Sequence, residues 1–201
     1  MSVLPMPGQA IVEIEGPPGF QQQVADYLER GRKISHHTRR LIDAVNEAAL
    51  LIRIRPVTDD PGTWHRSGVS SRSHTRVVRQ RDRERKQSAN LRAVIYINPA
   101  RIEPGHKSYK RGTLIHELVH ALDLVRDRYH SDYVIREKRA VFFQNIWRQA
   151  HGKRMRRHYH NKFDTLEYSQ AEDAGRVDDF VDYYFAHDDL PAVTSASGAK
   201  L

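Results

Sequence analysis

The 201-residue sequence contains no cysteine. Disulfides and thiolate-bound zinc are therefore excluded, and every metal ligand must be histidine, aspartate, glutamate or water. No apolar run approaches the roughly 18 residues of a membrane span, so no membrane partner is expected. The start, MSVLPMPG, lacks the basic segment and apolar core of a secretory signal peptide. We therefore expect synthesis in the cytoplasm and, for export, a specialised secretion route into a host or target cell.

Length and composition predict one folded domain. A chain of 201 residues, 39% of them hydrophobic, is long enough to bury a core. We expect this domain to span residues 11–190, between disordered segments at 1–10 and 191–201. The net charge of +8 and the pI near 9.8 favour acidic partners or nucleic acid.

Hydrophobic periodicity predicts an α+β fold that is mainly helical. Short strands are expected at residues 11–15, 51–55 and 93–97, where apolar runs or alternations end at Gly or Pro. Helices are expected around residues 20–28, 35–49, 111–127 and 132–150, and an acidic helix within 164–189. The elements before residue 57 carry no candidate chemistry and serve as scaffold.

A basic segment interrupts this pattern. Residues 72–92 carry eight Lys or Arg against Asp82 and Glu84, a local balance of +6. The loss of apolar periodicity predicts a mobile loop at about 57–90, which could form one wall of a substrate groove. A second interpretation is an arm that follows nucleic-acid phosphates. The absence of aromatic residues that could stack on bases makes this interpretation the less favoured one.

The most informative motif lies in the stretch RGTLIHELVHALDLVRD, residues 111–127. In a helix, the 3.6-residue period places His116 and His120 one turn apart on one face, with Glu117 at their flank. Two neutral imidazoles at this spacing can bind one Zn²⁺ ion at about 2.0–2.1 Å. Zinc lowers the pKa of a coordinated water to about 7, and Glu117 can act on that water as general base and then general acid.

Zinc in a hydrolase needs a third protein ligand from another direction. Asp123 shares the histidine face, but its Cα lies about 7.5 Å along the axis from the midpoint of the histidines, so it is better placed to orient an imidazole ring. Glu137 fits if the chain reverses near residue 130, because positions equally far from a turn return alongside each other. Asp127, Asp132 or a residue further along the chain remain alternatives.

The motif carries a family resemblance. His116-Glu117-Leu118-Val119-His120, with Glu137 on a downstream helix, resembles the gluzincin arrangement of zinc metallopeptidases. The opening at Ile14, Gly16 and Phe20 and the strand closed by Asn98-Pro99 also resemble small metallopeptidases delivered as type III effectors and as polymorphic-toxin domains. The resemblance covers residues 12–149, but only the metal motif is specific.

The resemblance implies a zincin-like fold and endoproteolysis of a protein in another cell. In such enzymes a strand just before the metal helix commonly forms the edge of the cleft and pairs with the substrate backbone. We therefore expect Val94, Ile95 and Tyr96 to bind substrate. Zinc peptidases often give oxyanion stabilisation to Tyr, His or Arg, and Tyr159 or Tyr168 could serve here.

Three functions follow from these observations. The first is a zinc-dependent endopeptidase with one zinc ion, a protein substrate and delivery into another cell. The second is a zinc protease that acts on DNA-bound or chromatin proteins and uses the 72–92 segment as its anchor. The third is a basic nucleic-acid-binding module without catalysis, in which the histidine motif is accidental.

Overall fold

The computed structural model describes residues 12–48, 52–57, 74–77, 92–107, 109–128, 130–159, 163–173 and 175–187. The ends predicted to be disordered, 1–10 and 191–201, lie outside the described residues, as does most of the predicted loop at 57–90. Helix and strand are mixed along the described chain, in agreement with the predicted α+β class. Within these ranges, no helix combines the length and apolarity needed to cross a membrane.

The described residues form six α-helices and six short strands. The helices of the described residues are α1 (Pro18–Ile34), α2 (His36–Glu47), α3 (Thr113–Val125), α4 (Tyr133–Ala150), α5 (Glu167–Asp173) and α6 (Val177–Ala186). The strands are β1 (Glu13–Ile14), β2 (Ile52–Pro56), β3 (His74–Val77), β4 (Ala93–Ile97), β5 (His158–Tyr159) and β6 (Phe163–Asp164).

The main sheet has the strand order β1-β2-β4-β3. β1, β2 and β4 are parallel, whereas β3 runs antiparallel to β4 and is an edge strand among the strands that the structure describes. The prediction that residues 93–97 form the edge strand is wrong, because β4 has a paired strand on each side. β3 lies within the predicted loop at 57–90, so that prediction is wrong for residues 74–77.

The inner position of β4 removes its predicted role in substrate binding. Val94, Ile95 and Tyr96 are buried, and each is paired in register with a residue of β2 and a residue of β3. Their backbone groups belong to these two ladders, so an extended peptide cannot add to this strand. The prediction that these three residues bind substrate is therefore wrong, and the edge belongs to β3.

Side-chain caps begin two of the helices. The Ser35 hydroxyl accepts a hydrogen bond from the His37 backbone N–H at 3.2 Å and starts α2. The Asp132 carboxylate accepts one from the Val134 N–H at 2.7 Å and starts α4. Both satisfy N–H groups that a helix start leaves without an internal partner. The start of α4 agrees with the predicted boundary.

α3 is the central helix, with 11 of its 13 residues buried. It runs antiparallel to α4, since the Gln144 amide near the end of α4 donates to the Arg111 carbonyl before α3, at 2.8 Å. Further along, the Arg139 guanidinium donates to the Asp123 carboxylate at 3.0 Å. The predicted helical hairpin is therefore present, and α4 covers the face of α3 that carries the histidines.

Gly112 sets the start of α3 against the core. Its φ of 68° lies in the left-handed region, which glycine adopts without steric cost. A Cβ at this position would lie 2.8 Å from Cδ1 of Trp147. Trp147 is fully buried, stacks on Tyr27 with ring centroids 4.4 Å apart and donates from its indole to the Tyr109 carbonyl. The indole therefore cannot move away easily.

We predict that Gly112→Ala is more destabilising than Gly175→Ala. Gly175 has a similar φ of 66°, but a Cβ there would meet no atom within 4 Å. Alanine in the left-handed region costs about 1–2 kcal/mol at either position, and the contact with Trp147 should add about 1–3 kcal/mol. Urea unfolding of the two variants measures this difference. Equal losses of unfolding free energy would contradict the packing described for Trp147.

Candidate metal centre

The two histidines of α3 face each other across one helical turn. Their Nε2 atoms lie 3.1 Å apart, and their ring centroids are separated by 4.7 Å with the planes nearly perpendicular. The side chains of His116 and His120 are only 8% and 12% exposed. Both Nε2 atoms therefore point toward one small, largely buried volume.

Glu137 reaches the same volume from α4. One carboxylate oxygen lies 3.1 Å from Nε2 of His116, and the other lies 3.3 Å from Nε2 of His120. The Glu137 side chain is 9% exposed. The hairpin thus brings together the three residues chosen from the sequence, and together they could hold a metal ion.

The alternative third ligands lie elsewhere. Asp127 is 82% exposed at its side chain and forms an ion pair with Arg92 at 2.9 Å. Asp132 is exposed and caps α4 through its Oδ1. Neither belongs to the group of convergent ligand atoms around His116 and His120.

The ligand atoms are close enough together to bind one small ion. Ligands bound at about 2.0–2.1 Å with tetrahedral angles are separated from each other by roughly 3.3–3.4 Å. Here the two Nε2 atoms are 3.1 Å apart, and they lie 3.1 and 3.3 Å from different oxygens of the Glu137 carboxylate. Oε2 of Glu137 is buried without a hydrogen-bond partner although it lies next to His116. A cation between these residues would give this oxygen a partner.

Three carboxylates lie near the two imidazoles of the candidate metal centre. Burial alone would raise the pKa of Glu137, but the adjacent imidazoles of His116 and His120 hold it well below its usual value. Burial alone would lower the pKa of His120, but the neighbouring carboxylates of Glu137, Glu117 and Asp123 raise it above its usual value. The surroundings of His120 therefore favour a positive charge.

Glu117 is held by the edge strand. The Thr75 hydroxyl of β3 lies 2.8 Å from Oε2 of Glu117 and 3.0 Å from the backbone carbonyl of the same residue. Glu117 is 6% exposed, so its carboxylate is oriented by the protein and not by bulk water. The sequence gives no local signal for this contact, because it joins residues 42 positions apart.

Asp123 lies in a buried polar network behind the site. Its Oδ1 accepts hydrogen bonds from Arg139 at 3.0 Å and from the Tyr184 hydroxyl at 3.1 Å. Burial raises the pKa of Asp123 to about 6, against the opposing effects of Arg139 and Tyr184. The predicted contact with a histidine ring is replaced by an electrostatic one, since the charge of Asp123 raises the pKa of His120. Asp123 thus connects α3 to α4 and α6.

Tyr159 lies beside the candidate metal ligands. Its ring is parallel to that of His116, with centroids 6.1 Å apart, and its hydroxyl is hydrogen-bonded to Glu137 and Tyr133. Burial, followed by the Glu137 charge, raises the pKa of Tyr159, so the phenol stays protonated at neutral pH. The Arg156 guanidinium lies 4.3 Å from the ring centroid and supports it from another side.

The segment before Tyr159 is attached to α4 by Asn145. The Asn145 carbonyl oxygen accepts from the Arg156 N–H at 2.7 Å, and its amide donates to the Arg156 carbonyl at 3.1 Å. Asn145 is 1% exposed. A fixed backbone at Arg156 therefore positions Tyr159, which follows three residues later and is the last residue of this described segment.

Tyr168 is far from the candidate ligands. Its hydroxyl donates to the Gln149 side chain, and its ring packs edge-on against Phe142 at 5.3 Å. Gln149 follows Glu137 by twelve residues, or about 18 Å along α4. The prediction that Tyr168 could stabilise an oxyanion is therefore wrong, and Tyr159 is the tyrosine near the ligands.

The basic segment contributes Thr75 to the described site, but no described Lys or Arg of this segment lies in it. Of residues 72–92, the structure describes β3 and Arg92, and Arg92 pairs with Asp127 at the surface. The remaining residues of the predicted nucleic-acid arm lie outside the described residues. No phosphate-binding arrangement emerges from the part that is described.

No protein-family model, curated protein or solved structure matches this chain. What the site does must therefore be inferred from its own chemistry.

We predict that Glu137→Gln lowers the zinc content of the chain by one ion. The amide keeps the shape of the side chain but removes the anionic oxygen that completes the ligand set. Elemental analysis after dialysis against low free zinc measures the loss. Glu103→Gln, at an exposed glutamate in the loop before α3, is the matched control and should leave zinc content unchanged. Equal zinc in both variants would exclude Glu137 as a ligand.

Proposed function

We propose that this protein is a zinc-dependent endopeptidase with a gluzincin-like, zincin-type site. The observation that carries the proposal is the convergence of His116, His120 and Glu137 beside the buried carboxylate of Glu117. A peptidase is favoured over a purely structural metal site because three protein ligands leave a tetrahedral position open, and an oriented carboxylate lies next to the motif histidines.

Zinc is the metal that this donor set suits best. Two imidazoles and one carboxylate, without a thiolate, are typical of catalytic zinc sites such as the His₂Glu class. When bound, the ion would supply Lewis-acid chemistry that polarises a peptide carbonyl and increases the acidity of water. His116 and His120 would hold it through Nε2, and Glu137 through its carboxylate.

Glu117 is the proposed general base. It would take a proton from the attacking water and then give that proton to the leaving amine. The contact with Thr75 supports this role, because it fixes one carboxylate oxygen and leaves the other for proton transfer. Thr75 thereby acts as a positioning residue.

Tyr159 is the proposed oxyanion donor. Its raised pKa keeps the phenolic proton in place, and its hydroxyl contacts Glu137 among the ligand atoms. A preorganised donor of this kind stabilises the negative charge that develops on a tetrahedral intermediate.

The edge strand β3 is the proposed binding surface for an extended substrate. It has β4 on one side, and no described strand lies on the other. A peptide that adds to this edge would run beside Glu117, because Thr75 of β3 contacts that residue. The substrate class is accordingly a protein chain.

The motif resemblance to effectors and toxins extends the proposal to a protein of a second cell, reached by a specialised secretion route.

We predict that Glu117→Gln abolishes cleavage but keeps zinc. Loss of a general base lowers kcat by about 10²–10⁴-fold, whereas the metal ligands are unchanged. Mass spectrometry of new N-termini in a treated cell lysate should show cleavages with the wild type that are missing with the variant. A chelator should remove the same cleavages and added zinc should restore them. A wild type that carries zinc but generates no new N-termini would refute the peptidase proposal.

We predict that Tyr159→Phe lowers kcat by about 10²–10³-fold, with a smaller change in KM and unchanged zinc content. The matched control is Tyr168→Phe, which removes a phenol of the same chain far from the ligands and should leave kcat unchanged. Kinetics on a peptide taken from a mapped cleavage site distinguish the two variants. Similar kcat values for both would assign oxyanion stabilisation to another group.

A further inference from the structure

A second cluster of ligand-type side chains joins the start of α2 to the start of α6. Nε2 of His36 lies 2.8 Å from Oδ1 of Asp178, and Nε2 of His37 lies 3.1 Å from the same oxygen. The two imidazole centroids are only 3.8 Å apart. The three ligand atoms lie within 4.8 Å of one another, which is close enough to surround one ion.

The Nε2 atom of His37 is independent evidence that a ligand belongs in this cluster. The residue is 8% exposed, and its Nε2 is buried without a hydrogen-bond partner although Asp178 is near. In the candidate metal centre, Oε2 of Glu137 is likewise buried without a hydrogen-bond partner. A buried polar atom without a partner is costly in a folded protein. An ion between His37 and Asp178 would satisfy it.

The cluster is accessible from one side. The His36 and Asp178 side chains are 66% and 73% exposed, so an ion can enter from solvent. His36 and His37 also line an open groove of about 360 Å³ that includes Gln149 and Tyr168. Water can therefore complete the coordination beyond the three protein ligands.

The local charge does not prevent cation binding. The nearby Arg40 is paired with Asp182 one turn further along α6. Asp178, Asp182 and Arg40 together contribute a net charge of −1. The positive end of the α2 dipole opposes a cation by only about half an elementary charge.

We propose that His36, His37 and Asp178 form a second divalent-metal site, of a zinc-like ion, which attaches α6 to α2. Two neutral imidazoles and a carboxylate form the same donor set as at the first site. The role is structural, because no described general base lies beside this cluster. The proposal does not depend on the peptidase activity.

The position of α6 gives this site a consequence for the rest of the molecule. α6 carries Tyr184, whose hydroxyl donates to Asp123 of the metal helix. Arg128, just after α3, donates to the carbonyls of Tyr184 and Phe185 at 2.6 and 2.7 Å. An ion at the α2–α6 junction would therefore stabilise the helix that covers the polar network behind the first site.

Zinc binding by a pair of charge-matched variants tests the proposal. Asp178→Asn removes one ligand, whereas Asp179→Asn makes the same charge change at a neighbour that pairs with Arg176. Both residues are exposed, so both variants should fold. Equilibrium dialysis against micromolar zinc should give two ions per chain for wild type and Asp179→Asn, and one for Asp178→Asn. Equal zinc content in the two variants would overturn the proposal. Adventitious binding to other histidines would give this result, because it does not depend on whether Asp178 or Asp179 is replaced.

A His120→Ala background separates the two sites. In that background added zinc should raise Tm by several degrees with Asp179→Asn and leave it unchanged with Asp178→Asn. If the candidate metal centre at His116, His120 and Glu137 does not bind zinc, the wild type should bind one ion, and Asp178→Asn should remove it. A zinc-dependent rise in Tm with Asp178→Asn equal to that with Asp179→Asn would overturn the second site, regardless of the outcome at the first site.

Discussion

The antiparallel packing of α3 against α4 is the constraint on which the candidate site depends. It brings Glu137 to the two histidines of α3, which no local feature of either helix could do alone. The buried pair between Asp123 and Arg139, with both side chains at most 2% exposed, lies at the same interface. Removing one partner of such a pair costs about 3–5 kcal/mol, so the interface tolerates little displacement of one helix along the other.

A metal-free site of this kind is costly to the fold. Carboxylates and imidazoles are buried together, and several of their atoms lack hydrogen-bond partners. Burial of charge without full compensation destabilises the folded state. A bound cation would reverse that balance, because any ligand that binds only the folded chain adds to its stability. The same reasoning applies on a smaller scale to His37 at the start of α2.

Sequence reasoning succeeded where the relevant contacts are local or follow from helix geometry. The helical period predicted the shared face of His116 and His120, and the axial rise of two hairpin helices favoured Glu137 over Asp127 and Asp132, which stayed open as alternatives. It failed for β3, because a four-residue strand in a basic segment carries almost no periodic signal and is specified by pairing with β4. The contact from Thr75 to Glu117 and that from His37 to Asp178 span 42 and 141 positions, which spacing rules cannot reach.

The most direct test of the central claim is anomalous diffraction at the zinc absorption edge from crystals of the zinc-loaded protein. We expect a peak about 2.0–2.1 Å from Nε2 of His116, Nε2 of His120 and a carboxylate oxygen of Glu137. The absence of a peak between these three residues at full zinc loading, or imidazoles turned away from each other, would contradict the proposed metal centre.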